Sequence, residues 1–289
     1  MTTAVATAAT TTDARPIVYR TRGSQHGPIV RLMSPGDLGE FLKPFVFLDL
    51  FGFDTTGSRK GFGIHPHSGI ATLTWLIEGD TVYEDTTGEK GVLPAGGVEW
   101  MRAGNGVWHD GAPAPDTKRV QGFQLWVALP AAEENAPAQS IYLAPSQVPS
   151  EGPARVLLGR YGAAQSAIAA PAPINYLAVQ LKDGERWSYV PPAGHTVGWV
   201  AVNEGALETG DDRGGPIGSG ELAVFEESSA VIDFVARGDT SFVLGSAAKH
   251  PHELVMGHYS VHTSRATLDQ GEAEIRRIGA RLRQEGRLP

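Results

Sequence analysis

The chain has 289 residues, 41% hydrophobic and only 19% charged, with 36 glycines and 20 prolines, a turn-rich balance that favours many short strands over long helices. A formal net charge of -8, with Lys/Arg clustering only in the last segment, argues against direct nucleic-acid binding, and no apolar run approaches the ~20 residues that span a bilayer. The absence of cysteine excludes disulfides, thiol catalysis and zinc–thiolate sites, so any metal has to be held by His and carboxylate.

The opening "MTTAVATAATTTDARP" lacks a basic start and a sustained apolar core, so it does not read as a signal peptide. It is expected to be a flexible tail over residues 1–15 of a cytoplasmic protein. Strand-like runs follow, each short, rich in aromatic and β-branched residues, and bounded by Gly, Pro or Asp. In the first half these are "PFVFLDLF" (44–51), "IATLTWLIEG", "GVLPAGGVEWM" and "GFQLWVALP" (122–130). Their spacing predicts a sandwich or barrel. The stretch Ala131 to Ala154, rich in Ala, Pro, Ser and Glu, reads as a linker with a short ordered piece near Tyr142.

The rhythm then returns in "ARVLLG", "INYLAVQL", "RWSYVPP", "TVGWVAVNEG", "GELAVFEE", "AVIDFVARG" and "TSFVLGS". Both halves share a strand, "EG", turn and Gly-rich return, so two related barrels are expected. The last segment differs. Leu268, Ile275, Ile278 and Leu282 recur at helical spacing, Thr267 with Gln270 fits a capping box, and Gly286 marks a stop. Its arginines read as a solvated face.

The chemistry concentrates in "GFGIHPHSGIATLTWLIEGD". Residues two apart on a strand share a face, so His65 and His67 point the same way, and Pro66 removes a backbone donor and places the pair on an edge, a bulge or a strand start. Alone, H-x-H is a weak signal. A hairpin and two strands later comes "GNGVWHDG", and a barrel returns this segment, with His109, beside the first pair. Three neutral imidazoles converging in a cavity suit Fe(II), Mn, Ni, Cu or Zn, with positions left open for a ligand.

The run "HPHSGIATLTWLIEGDTVYEDTTGEKGVLPAGGVEWMRAGNGVWHDGAP" resembles the signature of the pirin family within the cupin superfamily. "FVFLDLFGF" before it, "GFQLWVALP" after it and the terminal "GHYSVHTSRATLDQG" match in type and order. The resemblance is strong over 44–130 and loose across the second half. It implies an all-β bicupin, two jelly-roll-like cupin barrels in tandem with a short C-terminal α-helix. Residues 16–143 would form the N-terminal barrel with the metal, and 144–289 the C-terminal barrel, without metal, plus the helix. It also implies one iron held by three histidines, carried over as His65, His67 and His109, and by one glutamate. Some members act as quercetin 2,3-dioxygenases; others are described as iron-dependent regulators that bind protein partners.

The carboxylate departs from the family. The family's glutamate, two residues after His109, is Gly111 here, and the general cupin glutamate position falls on Ala71 and Thr72. Glu99 stands where the family carries a glutamine, and general cupin spacing also puts a ligand there. Glu99 is therefore read as a fourth metal ligand, as an acceptor for a metal-bound histidine, or as a base on a substrate hydroxyl. Asp110 is the other carboxylate in range, but next to His109 on a strand it would point the opposite way. A site of three histidines alone, or an empty one, stays open. Phe62, Met101 and Trp108 are expected on the wall of a substrate pocket, whereas Trp75 and Trp100 read as core.

A second HPH, His250 to His252, reads as a surface turn leading into the final helix, and His195 has no partner pattern. The reading is a metal-binding bicupin, with Fe(II) the first choice of metal. It acts as a dioxygenase on a small, flavonol-like or otherwise enolic aromatic substrate. The alternative is a non-enzymatic regulator that binds protein partners.

Overall fold

The expected runs become strands in the computed structural model, which describes residues 14–55, 61, 63–211 and 214–288. The first barrel has two sheets. The larger runs in the order Gln139–Leu143, Val98–Arg102, Ile70–Glu78, Arg119–Ala128, Phe45–Asp54, Ile29–Met33 and Ser24–His26. The smaller runs His65–His67, Val107–Pro113, Thr81–Asp85 and Lys90–Leu93. Pro66 cannot donate to a ladder, and its three-residue strand accordingly lies at the edge of the smaller sheet. The second barrel is built on a nine-stranded sheet, in which "AVIDFVARG" and "TSFVLGS" merge into one long strand, Ile232–Ala247.

The larger first-half sheet separates two environments by alternation. One face presents Leu48, Leu73, Trp75, Val98, Trp100, Phe123 and Leu125 to Tyr176, Trp199 and Val243 of the second barrel, forming one hydrophobic core shared by both halves. Phe45 meets Trp199 edge-on with ring centroids 5.2 Å apart. Trp75 and Trp100 are thus core residues, as their pattern indicated. A Cβ at Gly245 would stand 2.2 Å from the Trp199 ring, so the glycine is what admits the indole. The other face looks into the first barrel.

Several expectations are corrected. Residues 1–13 of the expected tail lie outside the described residues, but Arg15 is buried, donating to the carbonyls of Glu226 and Thr196. The next strand, Ile17–Thr21, pairs with Leu222–Phe225, so the chain enters the second barrel's sheet before building the first. The short ordered piece expected near Tyr142 in the 131–154 segment is the strand Gln139–Leu143, which pairs with the open edge at Val98–Arg102. The C-terminal helix spans Arg265–Gln284. Its cap is Ser264, whose hydroxyl accepts from the Thr267 amide, and Gln270 instead donates to Asn105. The expected apolar stripe is buried, and Gly286, at φ 69°, ends the helix. Among the described residues no helix is long and apolar enough to cross a membrane.

Trp199 is fully buried and belongs to the core of both halves. Trp199→Ala should destabilise the protein by about 3–5 kcal/mol in urea denaturation, with both halves lost in one transition. A loss below about 1 kcal/mol would mean that the two barrels do not share a core.

Candidate metal centre

The His65–His67 strand pairs antiparallel with the Val107–Pro113 strand, with His109 opposite His65 and Trp108 opposite Pro66. Alternation sends the three imidazoles to one side and Trp108 to the other. The ring centroids of His65, His67 and His109 are 4.5–5.1 Å apart. Each ring offers one nitrogen to a group that lies within 4.8 Å. His65 Nε2 and His109 Nε2 are 3.1 Å apart.

The other nitrogen of each ring is held from behind. His65 Nδ1 lies 2.7 Å from the Gly63 carbonyl, and His67 Nδ1 lies 3.1 Å from the Tyr259 carbonyl. His109 Nδ1 lies 3.3 Å from Glu99 Oε1. Carbonyls and carboxylates only accept, so each Nδ1 carries the proton and each Nε2 a lone pair. Three lone pairs facing one point repel one another unless a cation sits among them. The donor set therefore fits a divalent metal.

Burial first, then the neighbouring His109, holds the His65 pKa down to about 4. Burial, with His109 and His65 beside it, also drives His67 well below the ordinary imidazole value. Both rings are neutral at pH 7. Glu99 is buried, which works to raise its pKa, but His109 and the Thr74 hydroxyl outweigh burial and keep the carboxyl below its ordinary value. Thr74 donates to Glu99 Oε2 at 2.5 Å.

Glu99 belongs to a polar row. In register across the barrel-facing side of the sheet stand Arg31, Asp49, Gln124, Thr74, Glu99 and Tyr142. Arg31 grips Asp49 with two hydrogen bonds of 2.9 Å and lies over the Phe47 ring. The row floors a cavity of about 490 Å³ that the three histidines border. Its walls are aromatic: Phe47 stacked on Trp126 at 4.1 Å, Tyr83 stacked on Tyr142 at 3.5 Å, and Tyr259.

The expected wall residues fall elsewhere. Phe62 lies outside the described residues. Met101 is fully buried among Val46, Ile70 and Val107. Trp108 turns away from the cavity and donates to the Ile275 carbonyl of the C-terminal helix, where Gly279 makes room for it. Glu99 sits on the Nδ1 side of His109, away from the point where the Nε2 atoms meet. Asp110 borders the cavity but does not join the converging nitrogens. At Gly111 an added Cβ would meet nothing within 4 Å, so the space where the family places its glutamate is open. A polar residue within an apolar run, Asp49 in "FVFLDLF" or Gln124 in "GFQLWVA", was the available signal for the floor.

Of the other histidines, His252 is exposed, as a surface turn requires, but His250 is buried, and the segment after them is a hairpin, Val255–Gly257 with Ser260–His262, before the helix. His195 is buried against Ser246.

A family model for Pirin matches residues 29–127. A Pseudomonas aeruginosa protein provisionally named a quercetin 2,3-dioxygenase is 33% identical over 83% of this chain and 88% of its own length. The chain belongs to the pirin family. A crystal structure titled quercetin 2,3-dioxygenase from Acinetobacter baumannii superposes with TM-score 0.84 at 24% identity, covering 91% of this chain and 97% of its own. The Escherichia coli bacterial pirin YhhW in complex with nickel(II) superposes with TM-score 0.63 at 19% identity, covering 82% and 98%. Both share the bicupin fold, and this chain is a pirin-type cupin with a three-histidine cluster fit for a metal.

Unfolded histidine takes its proton near pH 6.5, whereas folded His65 takes it only at about pH 4. Between these values the unfolded chain binds more protons, so the metal-free pirin should lose stability as pH falls from about 6.5. Urea denaturation at pH 7 and pH 5 should show a smaller pH effect in His65→Asn; an unchanged effect would contradict a buried, neutral His65.

Proposed function

We propose that this pirin is an Fe(II)-dependent dioxygenase acting on a flat, enolic aromatic substrate of the flavonol type. The convergence of three Nε2 lone pairs beside an aromatic-walled cavity carries this reading. The name of the Pseudomonas relative supports the substrate class, and the nickel(II) complex of the E. coli pirin supports a divalent metal in such a site.

His65, His67 and His109 would hold the metal through Nε2. Bound there, iron supplies a Lewis-acid centre for an enolic oxygen and the redox capacity that dioxygen chemistry needs. Lacking a carboxylate ligand, the site keeps one more positive charge than the family pattern gives, which favours an anionic enolate over a neutral ligand. Phe47, Trp126 and the Tyr83–Tyr142 pair receive the planar rings and exclude water. Glu99 serves as the acceptor that fixes His109, rather than as a ligand or a base. Both of its oxygens are engaged, one with His109 and one with Thr74.

Protein loaded anaerobically with Fe(II) should contain near one iron per chain and consume dioxygen with quercetin. Iron binding without oxygen consumption across a panel of flavonols and other enolic aromatics would overturn the enzymatic reading. Glu99→Ala should lower metal affinity about 10–100-fold in competition titrations while the protein stays folded by circular dichroism. Unchanged affinity would remove Glu99 from the site.

A further inference from the structure

The third support of the histidine cluster comes from the far end of the chain. His67 Nδ1 faces the carbonyl of Tyr259, 192 residues later. Tyr259 is one of two loop residues in the hairpin that joins Val255–Gly257 to Ser260–His262. Its φ of 58° is left-handed, and among the described residues it is the one non-glycine with positive φ. A turn position of this kind normally carries glycine or asparagine, because a side chain there crowds the backbone. Its ring stands 5.7 Å from that of His65 and 6.0 Å from that of His67, and it borders the cavity while partly exposed.

The hairpin is pinned where it meets the ligand strand. Ser68, next to His67, is fully buried, and its Oγ lies 2.9 Å from both Ser260 Oγ and His262 Nε2. The Val261 amide donates to the Ser68 carbonyl. His262 Nδ1 lies 3.4 Å from the buried Glu134, which also accepts from the Thr263 amide and hydroxyl. A Cβ at Gly69 would stand 2.0 Å from the Val261 carbonyl, so the two segments touch through backbone.

We propose that Tyr259 is a positioning residue for the metal site. Its left-handed backbone aims the carbonyl that fixes the tautomer and direction of His67, and its ring closes the outer wall of the substrate cavity. The two tasks are separable by substitution. Glycine keeps the left-handed backbone and removes the ring. Asparagine keeps the backbone and supplies a small polar group. Alanine opposes that backbone moderately and valine, β-branched, strongly.

The inference rests on the metal-site reading above, and the test separates the two. Co(II) is the probe, read by its visible absorption bands and by competition with a chelator. Tyr259→Gly and Tyr259→Asn should bind Co(II) within about 3-fold of the unsubstituted protein with the same bands, but bind quercetin more weakly. Tyr259→Ala should weaken Co(II) binding and shift the bands, and Tyr259→Val should do so by about 10–100-fold. If the valine variant fails to fold, the alanine and glycine variants decide. Equal Co(II) affinity and bands in glycine and alanine, or a glycine variant as weak as alanine, would overturn the backbone role. Unchanged quercetin affinity in the glycine variant would overturn the wall role. A second readout needs no metal. Nitrogen-15 NMR of the metal-free protein should show His67 protonated on Nδ1 in the glycine variant and tautomer exchange in the alanine variant. No Co(II) binding by the unsubstituted protein would defeat the metal reading while this tautomer comparison still tests the positioning role.

Discussion

The structure depends on one constraint: three imidazoles have their Nδ1 protons fixed from outside, so that three Nε2 lone pairs must face each other. The acceptors come from three places. Gly63 lies just before the ligand strand, Glu99 lies on the neighbouring sheet, and Tyr259 lies in the C-terminal hairpin. None of the three contacts is strong alone, since a typical net hydrogen bond is worth about 1 kcal/mol. Together they fix which nitrogen each ring presents, and that sets metal affinity. The arrangement in turn demands neutral rings, which burial supplies at His65 and His67.

The rest of the fold can be read as support for that constraint. The large sheet of the first barrel gives one face to the core shared with the second barrel and the other to the cavity. Its rigidity keeps Glu99 in register with Thr74 and Gln124, so the carboxylate cannot wander from His109. The C-terminal segment closes the assembly from outside. Its hairpin grips the His67 strand, and its helix grips the His109 strand through Trp108. Both ligand strands, which sit side by side at the edge of a small sheet, are thereby clamped by chain that folds back from the second barrel.

Much of this was legible in the sequence. Alternation put His65 and His67 on one face, and barrel closure brought His109 beside them. The unusual carboxylate at Glu99 was visible as a charge in a strand-like run, but not which nitrogen it serves, because that depends on sheet register. The same alternation that placed His109 inward could have placed Trp108 outward. Its place next to a candidate ligand suggested a pocket instead, and the partner helix that explains Trp108 begins more than a hundred residues later. The Ile17–Thr21 strand and the Tyr259 contact were illegible for the same physical reason. Both are pairings across the whole chain, and nothing local records them. In the Ala/Pro-rich 131–154 segment the ordered piece near Tyr142 was legible, but not the edge it pairs with, because that depends on the tertiary arrangement of Val98–Arg102.

The most direct measurement is anomalous diffraction from crystals loaded with iron under anaerobic conditions. The account predicts a single peak about 2.0–2.2 Å from the Nε2 atoms of His65, His67 and His109, with Glu99 on the opposite side of the His109 ring. A peak bound through Nδ1, a metal held directly by Glu99, or a metal elsewhere in the chain would contradict it.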